Sequence, residues 1–250
     1  MKKVILYTLV LLSFISAYAQ EDNRYQNANT LFTEGKYNEA ISAYSDILKT
    51  GVESAEVYYN LGNAYYKSGQ LPQAILNFER ALLLAPHDKD IRYNLEMSNM
   101  QITDKIETVG EFFLVSWFND FKNKTKSDTW ALISIVAFAI AVLSFGTFIF
   151  SRRRNLKQAS FGAAIVLIVL VIVAFNFSAA QKNRLTQRNS AIVFEPSVSV
   201  KSSPSSGGTD LFILHEGTKV NILEELGEWN RIDIRDGSEG WIPASTIEVI

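Results

Sequence analysis

The apolar residues of this 250-residue chain are unevenly spread, and their spacing changes along its length. Three dense blocks stand at residues 4–17, 129–150 and 159–180. Between the first two, apolar positions recur at helical spacing over residues 20–107. From Ala191 the period falls to two, in short runs broken by Gly, Pro, Ser and Asp. A period near 3.6 predicts amphipathic helices, and a period of two predicts half-buried strands. The pattern therefore predicts three parts: a helical domain, a paired apolar segment and a β-rich tail.

The first block follows Met1-Lys2-Lys3 and ends at Ala17-Tyr18-Ala19. A basic start, an apolar run and a small-x-small end predict an export signal over residues 1–19. The block is shorter than the about 20 residues that a comfortable span needs. An uncleaved anchor is the alternative, and on either reading the lysines stay inside while the following chain is exported.

The second and third blocks carry no Asp, Glu, Lys or Arg. Each would be about 33 Å long as a helix, against a hydrocarbon core of about 30 Å. Buried core helices would normally carry one polar stripe, and these carry none. Two transmembrane helices, 129–150 and 159–180, are expected. Arg152, Arg153, Arg154 and Lys157 lie in the loop between them, 151–158. An arginine at the bilayer centre costs about 2.5–3.5 kcal/mol, so the loop sits outside the hydrocarbon. The outer flanks are cationic too, at Lys122, Lys124, Lys126, Lys182, Arg184 and Arg188. Orientation therefore rests on the export signal, which puts the loop in the cytoplasm and both ends of the chain on the outer side. In the segment 108–128, Leu114, Trp117, Phe118 and Phe121 share a helical face. That pattern suits an interfacial helix or a helix packed on the end of the repeats. Residues 181–189 read as a linker.

Shifting the chain on itself by 34 aligns Asn29 with Asn63, Gly35 with Gly69, Ala40 with Ala74, Ile41 with Ile75, Tyr44 with Phe78 and Leu48 with Leu82. The second copy reads Tyr58-x-x-Leu61-Gly62-x-x-Tyr65, then Gly69, then Ala74-x-x-x-Phe78-x-x-Ala81, then Pro86. It resembles the tetratricopeptide repeat family. The resemblance implies an all-α solenoid with repeats at 21–54 and 55–88 and a capping helix over 88–107. Gly62 and Ala74 are small where paired helices approach, and Tyr65, Phe78 and Ala81 fill the space between them. Gly69 ends one helix, Leu71-Pro72 opens the next, and Pro86 stops it. The first copy is weaker, with Ala28, Ile47 and Val52 where the second has Gly62, Ala81 and Pro86.

Such repeats bind protein, and the resemblance places the first helix of each along a concave groove. One tyrosine recurs there, as Tyr25, Tyr59 and Tyr93, beside Asn29, Asn60, Asn63, Asn94 and Tyr66. Tyrosine offers rigid contact area with a polar tip, and asparagine both donates and accepts. These eight residues are the expected peptide-binding groove, and packing between helices is the alternative for each. The excess of acids over bases in 20–107 favours a partner with basic patches.

In the tail, the runs Val198-x-Val200-Lys201-x-x-Pro204, His215-Glu216-Gly217-Thr218, Gly227-Glu228-Trp229-x-Arg231-Ile232 and Gly240-Trp241-Ile242 resemble the bacterial SH3-like family over residues 190–250. The resemblance implies an all-β SH3-like small barrel that takes cell-wall peptide or another protein. Trp229 and Trp241 are expected in its core or at its ligand.

No phosphate-binding glycine loop, metal-ligand cluster or nucleophile elbow is present, and there is no cysteine. His87 and His215, the two histidines, fall in different expected domains. A formal charge of −2 gives no reason to expect nucleic acid. No enzyme activity, catalytic residue, metal or cofactor is expected. Taken together, the order of export signal, repeats, membrane hairpin and SH3-like tail resembles the BatE proteins of the aerotolerance (Bat) operon. That resemblance implies a stress-tolerance complex in the envelope with a MoxR-type ATPase and von Willebrand A domain proteins. The expected function is a membrane-anchored protein–protein interaction scaffold on the outer side of a cytoplasmic membrane, in contact with envelope proteins and the lipid bilayer. The alternative is a peptidoglycan anchor acting through the tail.

Overall fold

The computed structural model describes residues 23–105, 117–118, 121–123, 125–186 and 189–250, so the expected export signal and the first part of the 108–128 segment lie outside them. The described residues form two compact units. One joins 23–105 to 189–250, and the other comprises 117–186.

Five helices build the first part of the larger unit: α1 (23–33), α2 (Tyr37–Leu48), α3 (Ala55–Lys67), α4 (Leu71–Leu84) and α5 (Lys89–Asn99). The pairs α1/α2 and α3/α4 are the two expected repeats. The local chemistry sets their ends. The Ser54 side chain accepts from the Val57 N–H at 3.5 Å, and Pro72 occupies the first turn of α4. The Asp88 carboxylate accepts from the N–H groups of Asp90 and Ile91 at 2.9 and 3.1 Å and starts α5. Gly62 is required by the crossing of α3 and α4, because a Cβ there would lie 2.7 Å from the Phe78 ring. Ala40, Tyr44, Ala74, Phe78 and Ala81 are buried as the repeat register demands.

The tail folds as seven strands: β1 (Ser190–Val193), β2 (Ser197–Lys201), β3 (Asp210–His215), β4 (Lys219–Leu226), β5 (Trp229–Asp233), β6 (Glu239–Pro243) and β7 (Ile247–Val249). They form one antiparallel sheet in the order β3-β2-β6-β5-β4-β1-β7. Val193, Val198, Val200, Leu214, Val220, Ile232 and Ile242 come from six different strands and share one buried cluster, so the sheet curls around its own core. The period of two that begins at Ala191 agrees with this all-β tail. Strand β7 follows a 3-10 turn at Ala244–Thr246 and carries too little alternation to be read alone.

The tail is not separate from the repeats. In α4, every residue from Ala74 to Phe78 is buried, and so are Glu79 and Ala81. A helix covered on more than one face needs two partners. One is the helical stack. The other is the tail, whose Ile192, Phe194 and Ile250 share a cluster with Ile75, Phe78 and Leu95. The capping helix expected over 88–107 runs only from Lys89 to Asn99. Beyond it, Ile102 lies against Ile75 and against Gly217 at the turn between β3 and β4.

The second unit is a hairpin of α6 (Ser127–Phe150) and α7 (Arg154–Thr186), both long and apolar enough to cross a membrane. The helix α7 takes in most of the expected loop 151–158 and part of the expected linker 181–189. Large apolar side chains point outward on both helices, with Leu143 71% and Val166 68% exposed. Polar groups tie the helices at one end: Ser127 Oγ donates to the Ser178 carbonyl at 3.0 Å, and Gln181 Nε2 donates to that of Thr125 at 2.8 Å. Deeper along the pair, Ser134 Oγ donates to the Val171 carbonyl at 3.3 Å. Leu114 of the expected aromatic face lies outside the described residues. Of its neighbours, Phe118 meets Phe177 at 5.3 Å and Phe121 meets Trp130 at 5.9 Å between ring centroids. That end of the hairpin is an aromatic cluster.

Gly217 combines a φ of +85° with a Cβ position 2.6 Å from Ile102 Cγ2, whereas Gly237 has a φ of +87° and open space. Gly237→Ala should lose only the backbone term, about 1–2 kcal/mol. Gly217→Ala should lose more, because Ile102 must also move. Chemical denaturation of the full chain in detergent checks this, and equal losses would show that the turn is not packed against Ile102.

Candidate interaction surfaces

The eight expected groove residues divide into two groups. One group forms rungs between successive helical pairs. Asn60 Nδ2 donates to the Tyr25 hydroxyl at 2.8 Å and to Asn29 Oδ1 at 3.2 Å. One repeat later, Asn94 Nδ2 donates to the Tyr59 hydroxyl at 3.1 Å and to Asn63 Oδ1 at 2.8 Å. The spacing of 34 is thus reproduced in hydrogen bonds, and each rung fastens one repeat's first helix to the next. In the first repeat, the buried Tyr44 hydroxyl also donates to Asn29 Oδ1, at 2.6 Å. Burial, helped by Tyr25, pushes that hydroxyl up to about 12, so it stays protonated and remains a donor. The second repeat has Phe78 there, and Asn63 keeps the remaining capacity of its oxygen.

The other group is open. A cavity of about 320 Å³ is lined by Phe32, Asn63, Tyr66, Tyr93, Asn94 and Met97, with Lys67 and Phe78 completing it. Tyr66, Tyr93, Asn63 and Asn94 are therefore brought together, with Asn63 and Asn94 also in the second rung, while Tyr25, Asn29, Tyr59 and Asn60 hold the stack. Tyr93 is 62% exposed. It occupies the phase of Tyr25 and Tyr59, but no further repeat follows α5 to supply it with a rung among the described residues. Phe32, Lys67 and Met97 were not singled out from the sequence. The shift of 34 did contain a signal for one of them, since Phe32, Tyr66 and Met100 share a phase.

On the tail, Trp229 and Trp241 lie on adjacent strands, with Trp229 opposite Pro243 and Trp241 opposite Arg231. The alternation buries Asn230, Ile232, Gly240 and Ile242, and leaves both tryptophans half-buried on the outer face. Neither belongs to the buried cluster of the sheet.

Charged groups surround the shared core of repeats and tail. The Asp104 carboxylate accepts from the His215 backbone N–H and the Thr218 hydroxyl, both at 2.7 Å, and lies 2.7 Å from His215 Nδ1. Lys219 Nζ donates to Glu79 Oε2 at 2.7 Å, with only 8% of the Glu79 side chain exposed. Arg80 Nη2 donates to the Val249 carbonyl at 2.6 Å and to Glu248 Oε1 at 3.1 Å. His215 ends β3 and contributes to this contact. Burial alone would raise the Asp104 carboxyl. The donors from His215 and Thr218 outweigh it and hold the group below the usual carboxylate range.

Comparisons with known proteins agree with the two folds. Residues 28–69 match a TPR repeat model, and residues 55–88 match a tetratricopeptide repeat model. Residues 196–248 match the bacterial SH3 domain. The chain is also 28% identical over 86 residues to sperm-associated antigen 1 of Rattus norvegicus. That stretch is 34% of this chain, and the chain spans about a tenth of the length of that relative. Both matched domain types are interaction modules, and tetratricopeptide repeats support a role in binding protein.

A depressed carboxyl stabilises the folded form above its unfolded pKa, near 3.9, and loses that contribution as the pH falls through its lower folded value. The Asp104 contact should therefore be intact at neutral pH and fail in acid below about pH 4. Asp104→Asn should lower stability at pH 7 by about 1–3 kcal/mol and flatten the acid limb. Denaturation midpoints of both proteins between pH 3 and 7 check this, and parallel curves would contradict it.

Proposed function

We propose that this chain is a membrane-anchored scaffold whose repeat groove takes a peptide segment of an envelope protein. The open cavity at Tyr66, Tyr93 and Met97 carries the reading. It offers exposed aromatic and thioether surface beside Asn63 Nδ2 and Asn94 Oδ1, the amide atoms that the rung does not use and that suit a peptide backbone. The excess of acidic residues in the repeat region suits a segment with basic character.

The shared core supports a membrane arrangement with both folded halves on one side. Repeats and tail pack together although the two long apolar helices separate them in sequence. Two crossings return the chain to its starting side, so a spanning hairpin leaves both halves in one compartment. The basic, apolar N-terminus favours the outer side, and Arg152, Arg153 and Arg154 favour a cytoplasmic turn. A stress-tolerance complex of the Bat type, with von Willebrand A domain proteins as partners, fits this arrangement. In that setting the chain would present a partner near the membrane and perform no chemistry of its own.

The groove is tested by placing a photo-crosslinking amino acid at position 93 or at position 49 of the full chain in intact envelopes. Position 93 should capture a discrete envelope protein, and position 49 should not. Adding Tyr66→Ala and Met97→Ala should reduce capture at position 93 at least about tenfold, the loss of one or two good contacts. Capture insensitive to both substitutions would remove the groove from the mechanism.

A second reading is favoured by one observation, the outward, half-exposed Trp229 and Trp241. Bacterial SH3 domains are compatible with cell-wall binding, and aromatic faces suit wall peptide and sugar. The full chain is the proper reagent, because an isolated tail would expose Ile192, Phe194 and Ile250. Detergent-solubilised chain should co-sediment with purified wall, and Trp229→Ala with Trp241→Ala should leave it in the supernatant. Absence of wild-type sedimentation would rule this reading out.

A further inference from the structure

The turn of the hairpin has an unusual charge balance. Arg152, Arg153, Arg154 and Lys157 are all exposed within six residues. No Asp or Glu occurs anywhere between Asp128 and Glu195. The one acidic residue of the hairpin, Asp128, stands in the first turn of α6 at the far end from these cations, so neutralisation of the turn must come from elsewhere. Beside this turn, the two helices leave an apolar crevice of about 400 Å³, lined by Ala141, Val142, Phe145, Phe161, Ala164 and Ile168 among others. Its floor is made by small residues, with Ala141 2% and Ala164 7% exposed. Phe145 and Phe161 stand at its sides, 50% and 45% exposed.

The crevice and the cations are physically continuous. The Phe161 ring lies 5.1 Å from that of Phe148, and Lys157 Nζ sits 5.1 Å from the Phe148 ring centroid. At 1.5 Å per residue, the crevice begins about 10 Å from the turn and reaches about 20 Å from it. That range matches the acyl chains of a lipid whose headgroup lies at the turn.

We propose that the hairpin holds an anionic diacyl phospholipid, with its phosphate among Arg153, Arg154 and Lys157 and one acyl chain in the crevice. The proposal rests on the spanning of the membrane by α6 and α7. The arginines supply planar donors suited to phosphate, and the lysine supplies a point charge held over the Phe148 ring, next to Phe161 of the crevice. A zwitterionic lipid could fill the crevice, but its headgroup brings its own cation beside the phosphate and adds no net charge against the four cations of the turn. The site therefore selects by headgroup charge and retains by chain burial.

Native mass spectrometry of the full chain, released from mixed micelles of equimolar phosphatidylglycerol and phosphatidylcholine, tests this. The wild type should retain one phosphatidylglycerol with a preference of about tenfold or more. The triple substitution Arg153→Gln, Arg154→Gln and Lys157→Gln should bring the preference close to parity. Ala164→Leu should lower retention of both lipids while leaving the headgroup preference in place. Equal retention of both lipids by the wild type would overturn the proposal. So would displacement of the lipid by millimolar glycerol phosphate, which would indicate a free-phosphate site, or a lipid-free dimer as the released species, which would put a second copy in the crevice. Alkaline carbonate extraction of envelopes separates the two readings. Release of the chain removes the membrane reading, whereas a retained chain without headgroup preference removes the lipid site alone.

Discussion

The packing of the tail against α4 is the contact on which the larger unit depends. The helix α4 buries almost its whole middle, and the helical stack covers only one side of it. Ile192, Phe194 and Ile250 cover the other. Fully burying a side chain of this kind is worth about 1.5–3 kcal/mol, so removing three at once would cost a large part of a domain's net stability. The surrounding ion pairs fix orientation more than they add energy, since charges taken from water must first be desolvated, whereas at Asp104 the donors outweigh burial. Two folds that look modular in sequence are thereby one body.

Much of this could be read directly from the residues. The 34-residue shift located four helices and named their packing positions, because Gly62, Ala74 and Phe78 answer to a geometric demand that repeats with the chain. Alternation and turn residues marked the tail as a set of short strands. The absence of charge located the two long helices, though not their full lengths, since α7 continues through Lys157 at one end and through Gln181 at the other. Polar residues do not stop a helix when their backbone hydrogen bonds are already made.

What escaped the sequence was non-local. Nothing in the spacing of His215 or Asp104 ties them together, since they are 111 residues apart. The expected groove residues show a related ambiguity. The recurrence of Tyr25, Tyr59 and Tyr93 is a true periodicity, but a periodic polar pair serves repeat-to-repeat bonding as naturally as ligand contact. Asn60 and Asn94 use their amides on the preceding repeat, so the ladder became a fastening. The open surface is where the ladder runs out, at Tyr93, and a single sequence does not show where a periodic bond loses its next partner.

The pairing of Arg80 with Glu248 spans 168 residues of chain. At synthesis rates of about 5–20 residues per second, the repeats emerge roughly 10–30 s before the strand that completes them. Throughout that interval Ile75 and its neighbours present bare apolar surface to the compartment that receives them. The newly made helices are then a natural client for holding chaperones and a natural target for quality-control proteases. Maturation of this chain is thus timed by the arrival of its far half.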